Sequence, residues 1–408
     1  MADRARPWWR DPTVLGMTVT SFFADVGYEM VSAVLPGFLS SIGVAAAALG
    51  WIEGIADALS SFVKLLSGAW SDRVGHRKPI VALGYFLSGT ALAVFAAAVS
   101  WPLILAGRMV AWFGKGIRGP LRDAMLAESA APEVRGKVFG MHRAGDTAGA
   151  VAGPLLGVWL LSRLPHPNAA APFRTIFLVS LIPGMLAFLS LVLLVKEKRA
   201  PGQGSRRRLW SSLDGLPRPY LRFLFGIGIF GAGDFAPTLL VLAAAQLLAP
   251  RYGVVRAAQW AALFYVLRNL VYALAAFPAG ALADRMNKQK LLAVGFLLGS
   301  ITACGAAALF LARGAASLPA LAAVFALAGV YIGIEDSLEG AIPADLVSAE
   351  YRGTAYGALG AVNGVGDLVA SALVGTLWTA ISPQAAFATA GFLMLAGAGV
   401  VLYNTKTA

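Results

Sequence analysis

Charged residues are scarce in this chain of 408 residues. Asp, Glu, Lys and Arg make up only 13% of it, whereas an average soluble domain carries about 25%. Hydrophobic residues make up 58%. A water-soluble fold would have to expose this excess of apolar surface, whereas a bilayer acts as its solvent. The composition therefore indicates an integral membrane protein.

Cysteine and histidine are scarcer still. The single cysteine, Cys304, excludes a disulfide within the chain, and three histidines provide no metal-ligand spacing. The sequence also lacks a phosphate-cradling glycine loop and a nucleophile elbow. We therefore expect neither an enzyme nor a bound cofactor.

Long apolar segments recur along the whole chain, and each approaches the roughly 20 residues that cross a hydrocarbon core as a helix. The sequence predicts an all-α integral membrane fold of twelve transmembrane helices in two pseudo-symmetric six-helix bundles. The predicted spans lie near 13–39, 46–70, 80–99, 102–121, 138–161, 174–196, 222–248, 257–282, 290–312, 317–341, 355–380 and 384–403.

Positive charge is concentrated in alternate loops, although the net charge is +12 overall. Residues 73–78, 196–208 and 285–290 are basic, while the loops at 43–49 and 100–102 carry no charge. The positive-inside rule places the basic loops and both termini in the cytoplasm. The charge is thus a topology signal for a multi-pass protein of the cell membrane, and no nucleic-acid partner is expected. Acidic residues in the first apolar stretch argue against a cleavable signal peptide.

The two halves of the sequence resemble each other. The segment Gly68-Ala-Trp-Ser-Asp72-Arg73 is echoed by Gly280-Ala-Leu-Ala-Asp284-Arg285, and 135–140 is echoed by 352–357. A polar segment rich in Arg, Gly, Ser and Pro lies between the halves. We therefore predict an N-terminal bundle at 1–195, a cytoplasmic linker at 196–221 and a C-terminal bundle at 222–408.

Three motifs resemble those of the major facilitator superfamily. The first is Gly68-x-x-x-Asp72-Arg73-x-Gly75-His76-Arg77-Lys78, similar to the superfamily's loop between spans two and three. The second is Arg108 followed by Gly114-x-Gly116, and the third is Gly149-x-x-x-Gly153-Pro154-x-x-Gly157, which resembles the fifth-span motif of proton-coupled exporters. The segments Phe22-Phe-Ala-Asp25-Val-x-x-Glu29-Met30 and 114–118 resemble those of a bacterial subgroup of the superfamily.

The resemblance implies a transporter that works by alternating access around a midplane site. It implies that Arg108 relays protons or binds substrate, and that Gly153 and Pro154 belong to an exporter motif. Asp72 and Arg73 would hold one side closed through an ion pair and helix N-terminal N–H groups. Asp284 and Arg285 would be the pseudo-symmetric copy of this gate.

Acidic residues inside the predicted spans are candidates for substrate binding or proton coupling. An acid at a span centre opposes insertion by about 2.5–3.5 kcal/mol, so such residues are functional candidates by default. Asp25 and Glu29 are four residues apart and share one helix face. Their mutual repulsion in a low-dielectric cavity favours a proton on one of them. Asp234 lies in the seventh span, the repeat partner of the first.

Basic residues and a histidine complete the candidate site. Arg268 is a possible partner of Asp234 or of substrate. His142 could titrate near physiological pH, although an Arg143–Asp146 ion pair is the simpler account of the fifth span. At the end of the tenth span, 335–339 holds three acids, which we expect to pair with cytoplasmic arginines.

The first functional hypothesis is therefore a proton-coupled efflux antiporter of a small molecule, monomeric in the bilayer. One alternative is an uptake symporter or uniporter of a small organic anion. Another is a divalent-cation exporter with Asp25, Glu29 and Asp234 as oxygen ligands, because hard cations suit carboxylates. The proton is the expected coupling ion.

Overall fold

The computed structural model describes residues 7–71, 76–165, 167–197, 216–312, 317–348 and 351–407, and these residues are almost entirely helical. The helices, named in chain order, are α1 Pro12–Ser41, α2 Ala46–Ser71, α3 Lys78–Thr90, α4 Trp101–Ser129, α5 Arg135–Arg163, α6 Ala171–Val179, α7 Leu181–Leu194, α8 Arg218–Gly231, α9 Pro237–Tyr252, α10 Val254–Ala283, α11 Lys288–Leu311, α12 Leu318–Glu339, α13 Ile342–Leu346, α14 Arg352–Ala380 and α15 Pro383–Thr407. A 3-10 helix, Ala91–Ala97, continues α3.

These helices account for the twelve predicted spans. Within the described ranges, ten helical stretches are long and apolar enough to cross a membrane. The predicted fourth span, α4, is not among these ten because buried Arg108 and Arg118 interrupt its apolar sequence. The predicted seventh span is also absent from the ten because it consists of two shorter helices, α8 and α9, of 14 and 16 residues.

The seventh span is broken, whereas we predicted one continuous segment at 222–248. Helix α8 ends at Gly231 and α9 begins at Pro237. Glycines 231 and 233 lower helix propensity, and Pro237 lacks an N–H and suits a first helical position. Broken helices of this kind line sites in many transporters, because their freed backbone groups need a polar or protein environment.

The described helices divide between two compact units. The first comprises Met1–Ser32 and Phe62–Arg206, and the second comprises Ala33–Ser61 and Arg207–Ala408. The second unit thus includes the adjoining ends of α1 and α2. The predicted bundles at 1–195 and 222–408 stay a prediction, and most of the predicted linker lies outside the described residues.

Helix α5 packs against α1 in the first unit through a stripe of glycines. A Cβ atom at Gly149 would lie 2.5 Å from the carbonyl oxygen of Phe22, and one at Gly153 would lie 2.5 Å from that of Val26. No side chain fits these spaces, so the two backbones touch. Small residues allow this close approach, which drives helix association in lipid.

Aromatic rings and small residues fill the second unit. The Phe230 ring stacks on Phe296 with centroids 3.6 Å apart, which joins α8 to α11. Helix α11 also packs on α12 and α15, and α10 packs on α12. The first half of α2 lies against α14, where a Cβ at Gly375 would be 2.7 Å from the carbonyl oxygen of Ala46.

Large apolar side chains remain exposed on both units. Leu193 in the first unit is 74% exposed, and Phe277 in the second is 83% exposed. In water the exposure of this surface would be strongly unfavourable, because burial of apolar area is the main favourable contribution to folding. In a bilayer it faces hydrocarbon of matching polarity.

Candidate functional site

A cluster of cations and aromatic rings lies on one face of α4 in the first unit. Arg108 is 1% exposed and donates a hydrogen bond to Ser32 Oγ at 3.2 Å. Its guanidinium lies 3.7 Å from the ring centroid of Trp112, and the Lys115 ammonium lies 4.4 Å from that of Tyr28. The face of an aromatic ring attracts a cation, and the attraction strengthens away from water. The rings therefore hold two positive charges within the span.

Arg118 extends this cluster by one more helical turn. Its guanidinium lies 4.0 Å from the ring centroid of Tyr85 on α3. The side chain is buried, and Nε and Nη1 have no hydrogen-bond partner among the described residues. Buried donors are almost always paired, so two unpaired donors on one charged group indicate a place where an acceptor binds.

The acids of α1 lie beside these cations. Asp25 interacts electrostatically with Glu29 on its own helix and with Asp146 on α5, and is attracted by Arg118 and Lys115. Both Asp25 and Glu29 are half-buried. The structure thus places three acids and two cations of the first unit around one another.

His142 is buried on α5 and makes the contacts that we expected of Arg143. Its Nε2 lies 3.7 Å from Asp146 Oδ2 and 3.4 Å from Ser21 Oγ. The Ser21 hydroxyl in turn lies 3.3 Å from the Tyr85 hydroxyl. Arg143 is exposed and forms no ion pair with Asp146 in the described structure. The expected Arg143–Asp146 pair was wrong. A spacing of three residues permits it, but Asp146 lies against buried His142 instead, and Arg143 is exposed.

Asp234 occupies the break between α8 and α9 in the second unit. It accepts a hydrogen bond from the Tyr331 hydroxyl at 2.9 Å and is attracted by Arg268. The Arg268 guanidinium donates to Asn269 Oδ1 at 3.0 Å. Arg268 is therefore an electrostatic partner of Asp234, one of the two roles that we considered for it.

Glu335 and Glu339 form a buried pair on α12. They are 8% and 7% exposed, and their carboxyl groups lie within hydrogen-bonding reach of each other. Asn363 on α14 donates to Glu339 Oε2 at 2.7 Å. Glu335 Oε2 and Glu339 Oε1 have no donor among the described residues.

Contrary to our expectation, the acids of 335–339 form no ion pair with an arginine among the described residues. Asn363 donates to Glu339, and the Tyr272 hydroxyl donates to the exposed Asp336 at 2.8 Å. Our sequence analysis also did not consider Glu53, which is 2% exposed on α2. The pairing of Glu335 with Glu339 had a sequence signal, because these residues repeat the four-residue spacing of Asp25 and Glu29 within an apolar span.

The predicted gating residues are only partly described. Asp72 and Arg73 lie outside the described residues. Asp284 and Arg285 are exposed at the turn that follows α10, where the Arg285 N–H donates to the Leu282 carbonyl at 3.0 Å. Gly153 and Pro154 are buried within α5. Their roles in gating stay a prediction.

The described residues contain no group of three or more His, Cys, Asp or Glu side chains that could hold a metal ion.

The family model of the Major Facilitator Superfamily matches residues 17–260 and 238–407. The chain belongs to this superfamily. An uncharacterized MFS-type transporter of Methanocaldococcus jannaschii is 30% identical over 388 residues, covering 94% of this chain and 92% of the relative. The multidrug resistance protein MdtH of Cronobacter sakazakii is 31% identical over 124 residues, 30% of this chain and 31% of the relative.

Solved structures match the whole MFS chain. A nucleoside transporter superimposes with a TM-score of 0.77 at 14% identity, covering 97% of this chain and 99% of that one. A bacterial homolog of the lysosomal transporter Spinster superimposes with a TM-score of 0.71 at 18% identity, covering 98% and 96%. At these identities the likeness concerns the fold alone. The predicted family and the all-α, twelve-helix membrane fold are confirmed, and the chain is a multi-pass membrane transporter.

Proposed function

We propose that this MFS transporter exports a small solute in exchange for protons, by alternating access. The observation that carries the proposal is the buried carboxyl pair of Glu335 and Glu339. Two acceptor-only carboxylates in contact repel each other, and one proton between them turns that repulsion into a hydrogen bond. A span that inserts such a pair at considerable free-energy cost gains a group that can carry a proton.

Each unit also contains a carboxylate beside a cation, and this arrangement supports the proposal of proton coupling. Asp25 lies near Lys115 and Arg118 in the first unit, and Asp234 lies near Arg268 in the second. Protonation of either acid would release its cation for another anion or for a different helix contact. Binding of a proton and of solute would then be linked, as coupled transport requires.

Two observations favour export over uptake. The multidrug resistance protein MdtH is similar to about a third of the chain. The glycine stripe with Gly153 and Pro154 resembles the motif of proton-coupled exporters. We further propose a monomer in the cell membrane, with both termini cytoplasmic as the charge distribution predicts.

Reconstitution into liposomes tests the coupling. With an acidic lumen and a panel of organic cations, organic anions and divalent metals added outside, a substrate of the antiporter raises lumenal pH. Glu335→Gln and Glu339→Gln should abolish this proton movement while the protein still inserts. Asp336→Asn is the matched control, since it removes an exposed carboxylate from the same helix. Unchanged coupled flux in both Gln variants would overturn the assignment.

A further inference from the structure

A small cavity lies inside the first unit, between α1, α3, α4, α7 and the residues around Ser180. Its polar lining comes from Tyr28, Tyr85, Ser88, Lys115, Arg118 and Ser180, and its apolar lining includes the Trp112 ring. The volume is about 20 Å³, room for about one water molecule. A larger part of a solute would therefore enter only if the lining residues move apart.

The two charged residues that line this cavity, Lys115 and Arg118, are both positive. Arg118 is 6% exposed, and its Nε and Nη1 lack acceptors in the described structure. The Tyr85 ring presents its π face to the Arg118 guanidinium. This face attracts the positive charge, but it does not replace the oxygen acceptors that the N–H groups of Nε and Nη1 need. A buried charged donor without an acceptor is strongly unfavourable, and an anionic oxygen removes that penalty.

We propose that this cavity binds a carboxylate group of the transported solute, with Arg118 and Lys115 as its ligands. The rings of Tyr28, Tyr85 and Trp112 line the same cavity and would contact an apolar or aromatic body attached to that carboxylate. The inference rests on the proposed transport function and adds the chemical class of the solute. It places the recognition of the anionic group within the first unit.

Asp25 competes with such a ligand. Its carboxylate is attracted by both Arg118 and Lys115, so it provides the countercharge that a solute carboxylate would replace. Removal of the Asp25 charge should therefore strengthen anion binding, while removal of the Arg118 charge should weaken it. Further charged groups act on these residues: Glu29 and Asp146 act on Asp25, Arg122 interacts with Tyr85, and Arg108 lies over the Trp112 ring.

The test is equilibrium binding to the purified full-length protein in detergent, without any gradient. The probes are benzoate, phenylacetate and 1-naphthoate, each compared with its uncharged amide. We expect at least one carboxylate to bind and its amide to bind at least tenfold more weakly, because hydrogen bonds between charged groups are the strong ones.

Four variants decide the assignment. Arg118→Gln should weaken carboxylate binding at least tenfold, Arg118→Lys should restore part of it, and Asp25→Asn should strengthen it. Arg251→Gln is the matched control, because Arg251 also lies over a tyrosine ring but is exposed at the end of α9. A folding defect cannot mimic the result, since it would not strengthen binding in Asp25→Asn.

Two results would overturn the inference. One is that no probe carboxylate binds, and the other is that wild type and Arg118→Gln bind equally. Proton-coupled flux of a cationic or neutral solute that survives Arg118→Gln would likewise refute the anion site while leaving the proposed function intact. Carboxylate binding without any proton movement would support the site and refute the coupling.

Discussion

Gly153→Ala should destabilise the protein, although alanine is the better helix former. An alanine Cβ at this position would lie 2.5 Å from the Val26 carbonyl oxygen and 2.9 Å from the Met30 N atom, both on α1. Contacts below 3.0 Å are essentially never seen for real Cβ atoms. The helices would therefore have to separate by about half an ångström or more, and interiors resist such overpacking.

The magnitude follows from two opposing contributions. Overpacking of this kind costs about 1–3 kcal/mol. Replacement of a helical glycine by alanine stabilises a helix by about 0.5–1 kcal/mol. The net loss for Gly153→Ala is therefore about 0–2.5 kcal/mol, and we expect the upper half of this range because backbone atoms rather than a flexible side chain oppose the new methyl group.

Gly140→Ala is the matched control on the same helix. Nothing lies within 4 Å of a Cβ at Gly140, so only the gain in helix propensity remains. Thermal unfolding of both variants in the same detergent, followed by size-exclusion chromatography, measures the difference. The packing argument is refuted if Gly153→Ala unfolds at or above the temperature of Gly140→Ala.

Two further predictions concern the second unit. Gly375→Ala should lower the unfolding temperature, because its Cβ would lie 2.7 Å from a backbone oxygen of α2, whereas Gly360→Ala on the same helix meets nothing within 4 Å and should not lower it. Tyr331→Phe should cost about 1.5–3 kcal/mol, because it removes a hydrogen bond to a charged carboxylate. In a double-mutant cycle with Asp234→Asn the two losses should not add, and strict additivity would show that the hydrogen bond contributes nothing.

Spacing along the chain was enough to predict the shared face of Asp25 and Glu29. The helical period places residues four apart on one side whatever the helix packs against. The same rule would have paired Glu335 with Glu339, and His142 with Asp146. In both cases we instead expected an ion pair between the acid and an arginine. Arg143 is an example: it is exposed, and Asp146 lies against His142 instead.

The break in the seventh span has signals in the sequence, but we did not predict it. Gly231, Gly233 and Pro237 are ordinary helix-ending signals. They lie within one long apolar segment, however, and we predicted that segment as a single continuous span. Whether such a sequence bends, breaks or stays helical depends on what packs beside it. Here α15 approaches so closely that a Cβ at Gly233 would lie 2.5 Å from the Ala390 carbonyl oxygen.

The sequence by itself determined that the chain lies in a membrane, that it is helical and that it has about twelve spans. These properties follow from composition and local periodicity, which act through the solvent and the backbone and need no knowledge of neighbours. Only the tertiary structure decided which polar groups meet. The unpaired donors of Arg118 and the contact between Glu335 and Glu339 depend on the rotation of each helix and on residues distant in the chain. No local pattern encodes those rotations, because they result from close packing among many side chains at once.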